Sequence, residues 1–148
     1  MTYNKKVIHS QLPTTWTFVD CVCGGTNPIQ DWYENDLSEE GQDLFDALLK
    51  NISKTEQHTN WTGFRRFLKG EQVQRQRIWE LEFRADKRQY RVLCKFGSKR
   101  KEVILLMGCY HKQSVYTPAD AIDQAVKRAK KLSEGEASTC ERAIKENI

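Results

Sequence analysis

The sequence predicts an α+β domain in which N-terminal helices precede a small antiparallel sheet and a C-terminal helix closes the unit. Three observations predict it. Residues 79–107 hold three consecutive strand-like runs separated by turns of a few residues, and short turns between strands force antiparallel pairing. Leu37, Leu44, Phe45, Leu48, Leu49 and Ile52 recur at helical spacing before the sheet. Ile122, Ala125, Val126, Ala129 and Leu132 do the same after it. At 148 residues the chain is sized for one domain and can bury a core without metal or disulfide staples. The reading places that domain at residues 1–132 and leaves 133–148, small or charged, as a frayed tail.

Taken in order, residues 7–23 read as one or two strands, from Val7, Ile8, Leu12, Trp16, Phe18, Val19 and Val22. Pro13 interrupts that run and Gly24-Gly25 ends it. Asn27 and Pro28 start a short helix, with Asn as N-cap and Pro at the first helical position. Asp36 with Glu39 forms a capping-box variant for a longer helix, whose wet face carries Glu39, Glu40, Asp43 and Asp46. Residues 55–76 are a polar connection with one helical turn, anchored by Trp61, Phe64, Phe67 and Leu68. Then Trp79, Leu81 and Phe83 alternate with Glu80, Glu82 and Arg84. After the turn Asp86-Lys87-Arg88, Tyr90, Val92, Cys94 and Phe96 alternate with Arg91, Leu93 and Lys95. Residues 103–107 are continuously apolar, the mark of a strand buried on both faces. Thr117 and Pro118 open the last helix, Lys127, Arg128, Lys130 and Lys131 form its wet face, and Gly135 stops it.

Charge is unevenly spread. Residues 1–60 hold 4 Lys/Arg against 9 Asp/Glu, and residues 61–101 hold 13 against 4, a local net of +9. Eight of those 13 cations are Arg, which suits bidentate phosphate contact better than Lys. A positive sheet surface points to a nucleic acid, and the acidic N-terminal helix either is a solvated face or keeps the positive charge one-sided. The five cysteines are odd in number, and Cys21-Val22-Cys23 has no second pair at zinc spacing, which argues against a metal site. No apolar leader and no run of 18 apolar residues is present, so the expected location is the cytoplasm, with reduced thiols and no membrane contact.

Four segments carry a family resemblance: Trp79-Glu80-Leu81-Glu82-Phe83, Tyr90-Arg91-Val92-Leu93, Ile104-Leu105-Leu106-Met107, and the run from Tyr110 through His111, Lys112, Gln113, Ser114, Val115, Tyr116 and Thr117 to Pro118. With their order, they resemble the RelE/ParE toxin superfamily, in its HigB-like, phage-derived branch. The resemblance spans residues 61–132, and the N-terminal half matches only in its helix pattern. It implies a RelE-like fold and a toxin neutralised by an antitoxin protein. The implied activity is metal-independent cleavage of mRNA on the ribosome, with no cofactor. Three departures each remove a cation from the implied site: Glu82 stands where an Arg follows the E-L pair, Gln113 replaces the second Lys of a K-K pair, and Tyr116 replaces a later Lys.

Cleavage of RNA without metal needs a base for the 2′-OH, cations for the charge developing on the phosphate, and an acid for the leaving oxygen. Arg84 and Arg91, on adjacent strands, are the candidate phosphate clamps. Lys112 occupies the retained position of the K-K pair, and His111 is the candidate acid or base. The four are expected in one shallow groove, able to reach one phosphate, with neither carboxylates nor apolar packing filling the spot. Arg65, Arg66 and Lys69 are expected to hold the RNA backbone, and Tyr110 and Tyr116 to stack bases, with core packing the other reading of Tyr110. The lost cations favour an alternative, a non-catalytic nucleic-acid-binding module of phage or mobile-element origin. A structural or interaction protein with no nucleic-acid role is the third.

Overall fold

The computed structural model describes residues 16–65 and 69–144. The strand reading over 7–15, together with Arg66, Phe67 and Leu68, lies outside the described residues. The elements run β1 (Thr17–Cys23), α1 (Pro28–Asn35), α2 (Glu39–Ser53), a 3-10 turn (His58–Asn60), β2 (Phe64–Arg65), α3 (Glu71–Arg75), β3 (Trp79–Ala85), β4 (Arg88–Phe96), β5 (Glu102–Lys112), β6 (Val115–Thr117), α4 (Ala121–Ser133) and β7 (Ala137–Glu141).

Local chemistry sets most boundaries. The Asn27 side chain accepts from the Gln30 amide at 2.9 Å, and Pro28 follows it into α1 as predicted. The cap of α2 is Ser38, whose hydroxyl accepts from the Gly41 amide at 3.0 Å; Asp36 instead ends α1. Asp86 and Lys87 both take positive φ, 54° and 62°, making the tight turn whose twist matches a β3–β4 hairpin. The helix expected at Pro118 starts at Ala121, because Thr117 is still paired to Tyr110 as the last residue of β6.

The α+β class holds, but the sheet is neither small nor wholly antiparallel. Seven strands among the described residues lie in the order β2-β3-β4-β5-β1-β7, with β6 also on β5. β1 runs parallel to β5, pairing Thr17 with Glu102 through Asp20 with Leu105. Hairpin logic dictates direction only between consecutive strands. β5 is apolar on both faces and needs a partner along its remaining edge, which β1 supplies from the far end of the chain. The tail is corrected too. Residues 137–141 form β7, antiparallel to β1 from Val19 to Cys23, covering ladder groups that an edge would leave open. Its side chains are mostly exposed, so their composition resembles a frayed end.

Helices cover both faces. On one, α1 and α2 bring Ile29, Trp32, Phe45, Leu49 and Ile52 against Phe18, Trp79, Leu81, Tyr90, Val92 and Leu105. On the other, α3 and α4 set Val73, Ala125 and Ala129 against Cys21, Leu93, Ile104 and Leu106. Each large apolar side chain buried this way contributes about 1.5–3 kcal/mol. Residues 103–107 are buried throughout, as their continuous apolarity predicts. Two positions on α2 reverse expectation. Leu44 is exposed, whereas Asp46 is buried and accepts from the Tyr33 hydroxyl at 2.6 Å, because α1 crosses that flank and offers it a donor. Arg128 of α4, expected to be wet, reaches back to the sheet and donates to the Leu106 carbonyl at 2.7 Å.

Candidate functional site

Strand register decides which side chains meet. The two-residue turn at Asp86-Lys87 places Glu82 opposite Arg91, Arg84 opposite Gln89, and Glu80 opposite Leu93. On the next strand, Cys109 lies opposite Arg91 and His111 opposite Gln89, and β6 sets Tyr116 opposite His111. Paired residues project to the same side, so Glu80, Glu82, Arg84, Arg91, His111 and Tyr116 share the α3/α4 face, beyond the part those helices cover. Arg65 of β2 joins them, opposite Glu80.

The expected cluster of three cations and an imidazole does not form. Arg91 is buried and held by two carboxylates: one guanidinium nitrogen pairs with Glu80, and Nη2 lies 3.0 Å from Glu82 Oε2. Carboxylates therefore occupy the spot reserved for phosphate. Lys112 is exposed and follows His111 in the same strand, so alternation turns it to the opposite face, with Tyr110. Arg84 stays exposed on the shared face. Three cavities of about 450, 320 and 340 Å³ are lined by other residues, so these side chains meet on an open stretch of sheet rather than in a groove bounded by one of those three.

What converges instead is a mixed-charge set. Glu80 is fully buried, and the Tyr116 hydroxyl donates to it at 2.9 Å. Burial and this carboxylate push the Tyr116 phenol up, so it stays protonated and acts as a donor. Tyr116 is thus a positioning group for Glu80, and its ring meets the His111 ring edge-on at 4.1 Å. Glu82 is reachable, with a quarter of its side chain exposed, and takes a second cation, Arg65 Nη1, at 3.5 Å. Burial first, and Arg91 second, hold the His111 pKa below its usual range against the pull of Glu80 and Glu82, so the ring favours the neutral form. Two nitrogens here are buried without a partner: Arg91 Nε and His111 Nε2. Burial pushes the Cys109 thiol, next to Arg91 in the ladder, up to about 12, which leaves it no role as a thiolate nucleophile.

The remaining expectations fall apart spatially. Lys69 is exposed, and Arg66 lies outside the described residues. Tyr110 is half-buried on the other face, with the Arg88 guanidinium stacked 4.3 Å over its ring, which suits packing better than base capture. All five cysteines are free, and no group of three or more His, Cys, Asp or Glu side chains is placed to hold a metal among the described residues. Glu80 and Glu82 are the functional candidates that sequence reasoning missed. The turn read as Asp86-Lys87-Arg88 is only two residues long, because Arg88 already pairs with Ala85, and that shorter turn is what sets Glu82 opposite Arg91.

A family model described as phage derived protein Gp49-like (DUF891) matches residues 33–130, about two thirds of the chain. The chain belongs to the Gp49-like family. This is a phage-derived, toxin-like group, and the match runs from inside α1 into α4. β1, the parallel strand, and β7, its partner, lie outside the matched residues. Arg142, just past β7, donates to Asp20 Oδ2 of β1 at 2.9 Å with both side chains buried, and its guanidinium lies 4.7 Å over the Tyr33 ring. No curated protein and no solved structure matches the chain. No helix among the described residues is long and apolar enough to cross a membrane.

Proposed function

We propose that this Gp49-like chain is the toxin of a RelE/HigB-like toxin–antitoxin pair, directed in the cytoplasm at mRNA on the ribosome. Its activity is metal-independent cleavage, and an antitoxin protein masks its charged face. The observation that supports this reading is the pair of unpartnered buried nitrogens, Arg91 Nε and His111 Nε2, on neighbouring strands of one face. Buried polar atoms without partners are rare in folded proteins. Asp20 Oδ1, Trp79 Nε1 and Arg142 Nε are others among the described residues, all on the α1/α2 side, and it is the closeness of Arg91 and His111 to each other and to Arg65 and Arg84 that supports the reading. Arg65 and Arg84 stand on the same face to hold the flanking phosphates.

Expression of the chain is expected to arrest growth and cut translated mRNA, and His111→Ala is expected to relieve both. A second reading, a nucleic-acid-binding module without catalysis, draws on the carboxylates that neutralise Arg91 and on the turning away of Lys112. Under that reading growth is untouched, RNA remains intact, and RNA affinity falls steeply with salt.

A further inference from the structure

A second pair of open polar groups lies on the other side of the sheet, where α1 and α2 meet β1 and the end of β7. Asp20 and Arg142 are 2% and 8% exposed, and Asp20 Oδ2 lies 2.9 Å from Arg142 Nη1. These two atoms are well bonded. Oδ2 also accepts from Asn27 Nδ2 at 3.0 Å, and Nη1 also donates to Gln30 Oε1 at 3.0 Å. The atoms one carbon further on are not: Asp20 Oδ1 and Arg142 Nε are buried with no partner. In a pair that only stabilised the fold, two such atoms would be an uncompensated cost.

Both residues line a cavity of about 320 Å³, together with Asn27, Gln30, Tyr33 and Asp46. That volume stands at the lower end of the range for small-molecule sites and exceeds what one or two bridging waters need. We propose that this cavity binds a free α-amino acid as its zwitterion. The ammonium donates to Asp20 Oδ1, and the carboxylate accepts from the edge of Arg142 formed by Nε and Nη2. This goes beyond the RNA-directed reading above and does not depend on it.

The ligand class follows from what is left open. A carboxylate oxygen only accepts, and a charged N–H is its strongest partner. The edge of a guanidinium presents two parallel N–H groups, which match the two oxygens of a carboxylate. Asp20 and Arg142 touch each other, so the ligand's opposite charges must lie equally close, and in an α-amino acid one carbon carries both. A bare amine would leave Nε unbonded. A bare carboxylate would leave Oδ1 unbonded and would face Asp46 and Glu141 on the cavity wall. The guanidinium is also held in place: it lies 4.7 Å over the Tyr33 ring, and the Tyr33 hydroxyl donates to Asp46 at 2.6 Å. Little freedom is then lost on binding. Asp20 and Arg142 both fall outside residues 33–130, so the Gp49-like match does not carry this site.

The test is calorimetric titration of the full chain with each standard amino acid, then with two analogues of any that binds: its desamino acid and its decarboxylated amine. Expected is saturable binding of at least one amino acid with a Kd of about 1 mM or tighter, weaker by about tenfold or more for each analogue. Bound ligand is expected to slow amide exchange in β7. Arg142→Lys keeps a cation for Asp20 but removes the two-pronged edge, and is expected to weaken binding by about tenfold or more. Ala143→Trp, at an exposed position on the cavity wall, is expected to block binding without touching the pair. Circular dichroism checks that each variant folds. Absence of binding by every amino acid at about 10 mM overturns the proposal. So does an analogue that binds as tightly as its parent amino acid, or a folded variant of either kind that binds like the parent chain. A chain that ignores amino acids yet still arrests growth loses this inference alone, because His111→Ala tests the RNA-directed reading on the other face.

Discussion

At the scale of single residues, Arg91 is decided by its neighbours rather than by its charge. A buried guanidinium between two carboxylates costs desolvation and regains it only while all partners remain. Arg91→Ala would leave Glu80 buried with its Tyr116 bond but no cation. It is expected to cost about 3–5 kcal/mol in urea unfolding, and a paired Glu80→Leu, Arg91→Met change to recover part of that. Loss of activity in Arg91→Ala alone is therefore no measure of catalysis. His111 gives a cleaner residue-level reading. Its folded pKa lies below its unfolded one, so the unfolded chain binds the extra proton first on acidification. Stability is expected to be fully present above about pH 6.5 and to fall as pH drops towards the folded pKa. The NMR titration of His111 should have its midpoint below about 6.5, and His111→Gln should flatten the acid limb of the unfolding curve.

At the scale of elements, period-two alternation both fills the core and sorts the site. Trp79, Leu81 and Phe83 face α1 and α2, which obliges Glu80, Glu82 and Arg84 to face the other way. The same rule removes Lys112 from the cluster that keeps His111. Close helix-to-strand packing sets another constraint at Gly108 on β5, where an added Cβ would lie 2.1 Å from Trp32 Cδ2. That contact involves a buried ring wedged among Phe45, Phe83 and Tyr90, which has little room to yield. Gly108→Ala is expected to destabilise by about 1–3 kcal/mol or more, read as a lowered Tm, while leaving the β3–β4 hairpin intact. At β1 and β7, Arg142→Ala would strip buried Asp20 of its cation. It is expected to cost about 3–5 kcal/mol and to raise amide exchange first in β7.

At the scale of the whole molecule, the local net of +9 over residues 61–101 does not make a uniformly positive surface. Part of it is neutralised internally, with Arg91 on Glu80 and Glu82 and Lys101 on Glu56. The acidic helix α2 lies on the opposite side of the sheet from Arg65 and Arg84, although Lys112 and Arg88 share its side and Glu82 theirs, so the charges are only partly sorted between the faces. RNA affinity is expected to fall linearly in log–log against salt. Arg65→Ala and Arg84→Ala should each reduce that slope by roughly 0.7–1 without changing sequence preference.

Element identity was legible in the chain, because helical and strand periods are properties of a few adjacent residues. α2, α4 and the three central strands stand close to where those periods put them and α1 follows its Asn-Pro cap, but the register that brings Glu82 to Arg91 needed a turn one residue shorter than the one read. The parallel docking of β1, the rescue of the tail as β7 and the burial of Arg91 were settled only in three dimensions. Each depends on which edge or charge is left unsatisfied after the local elements form, and the groups that satisfy it come from positions up to 122 residues away. Periodicity is written in the neighbours; the pairing of edges and charges is decided by closure of the whole.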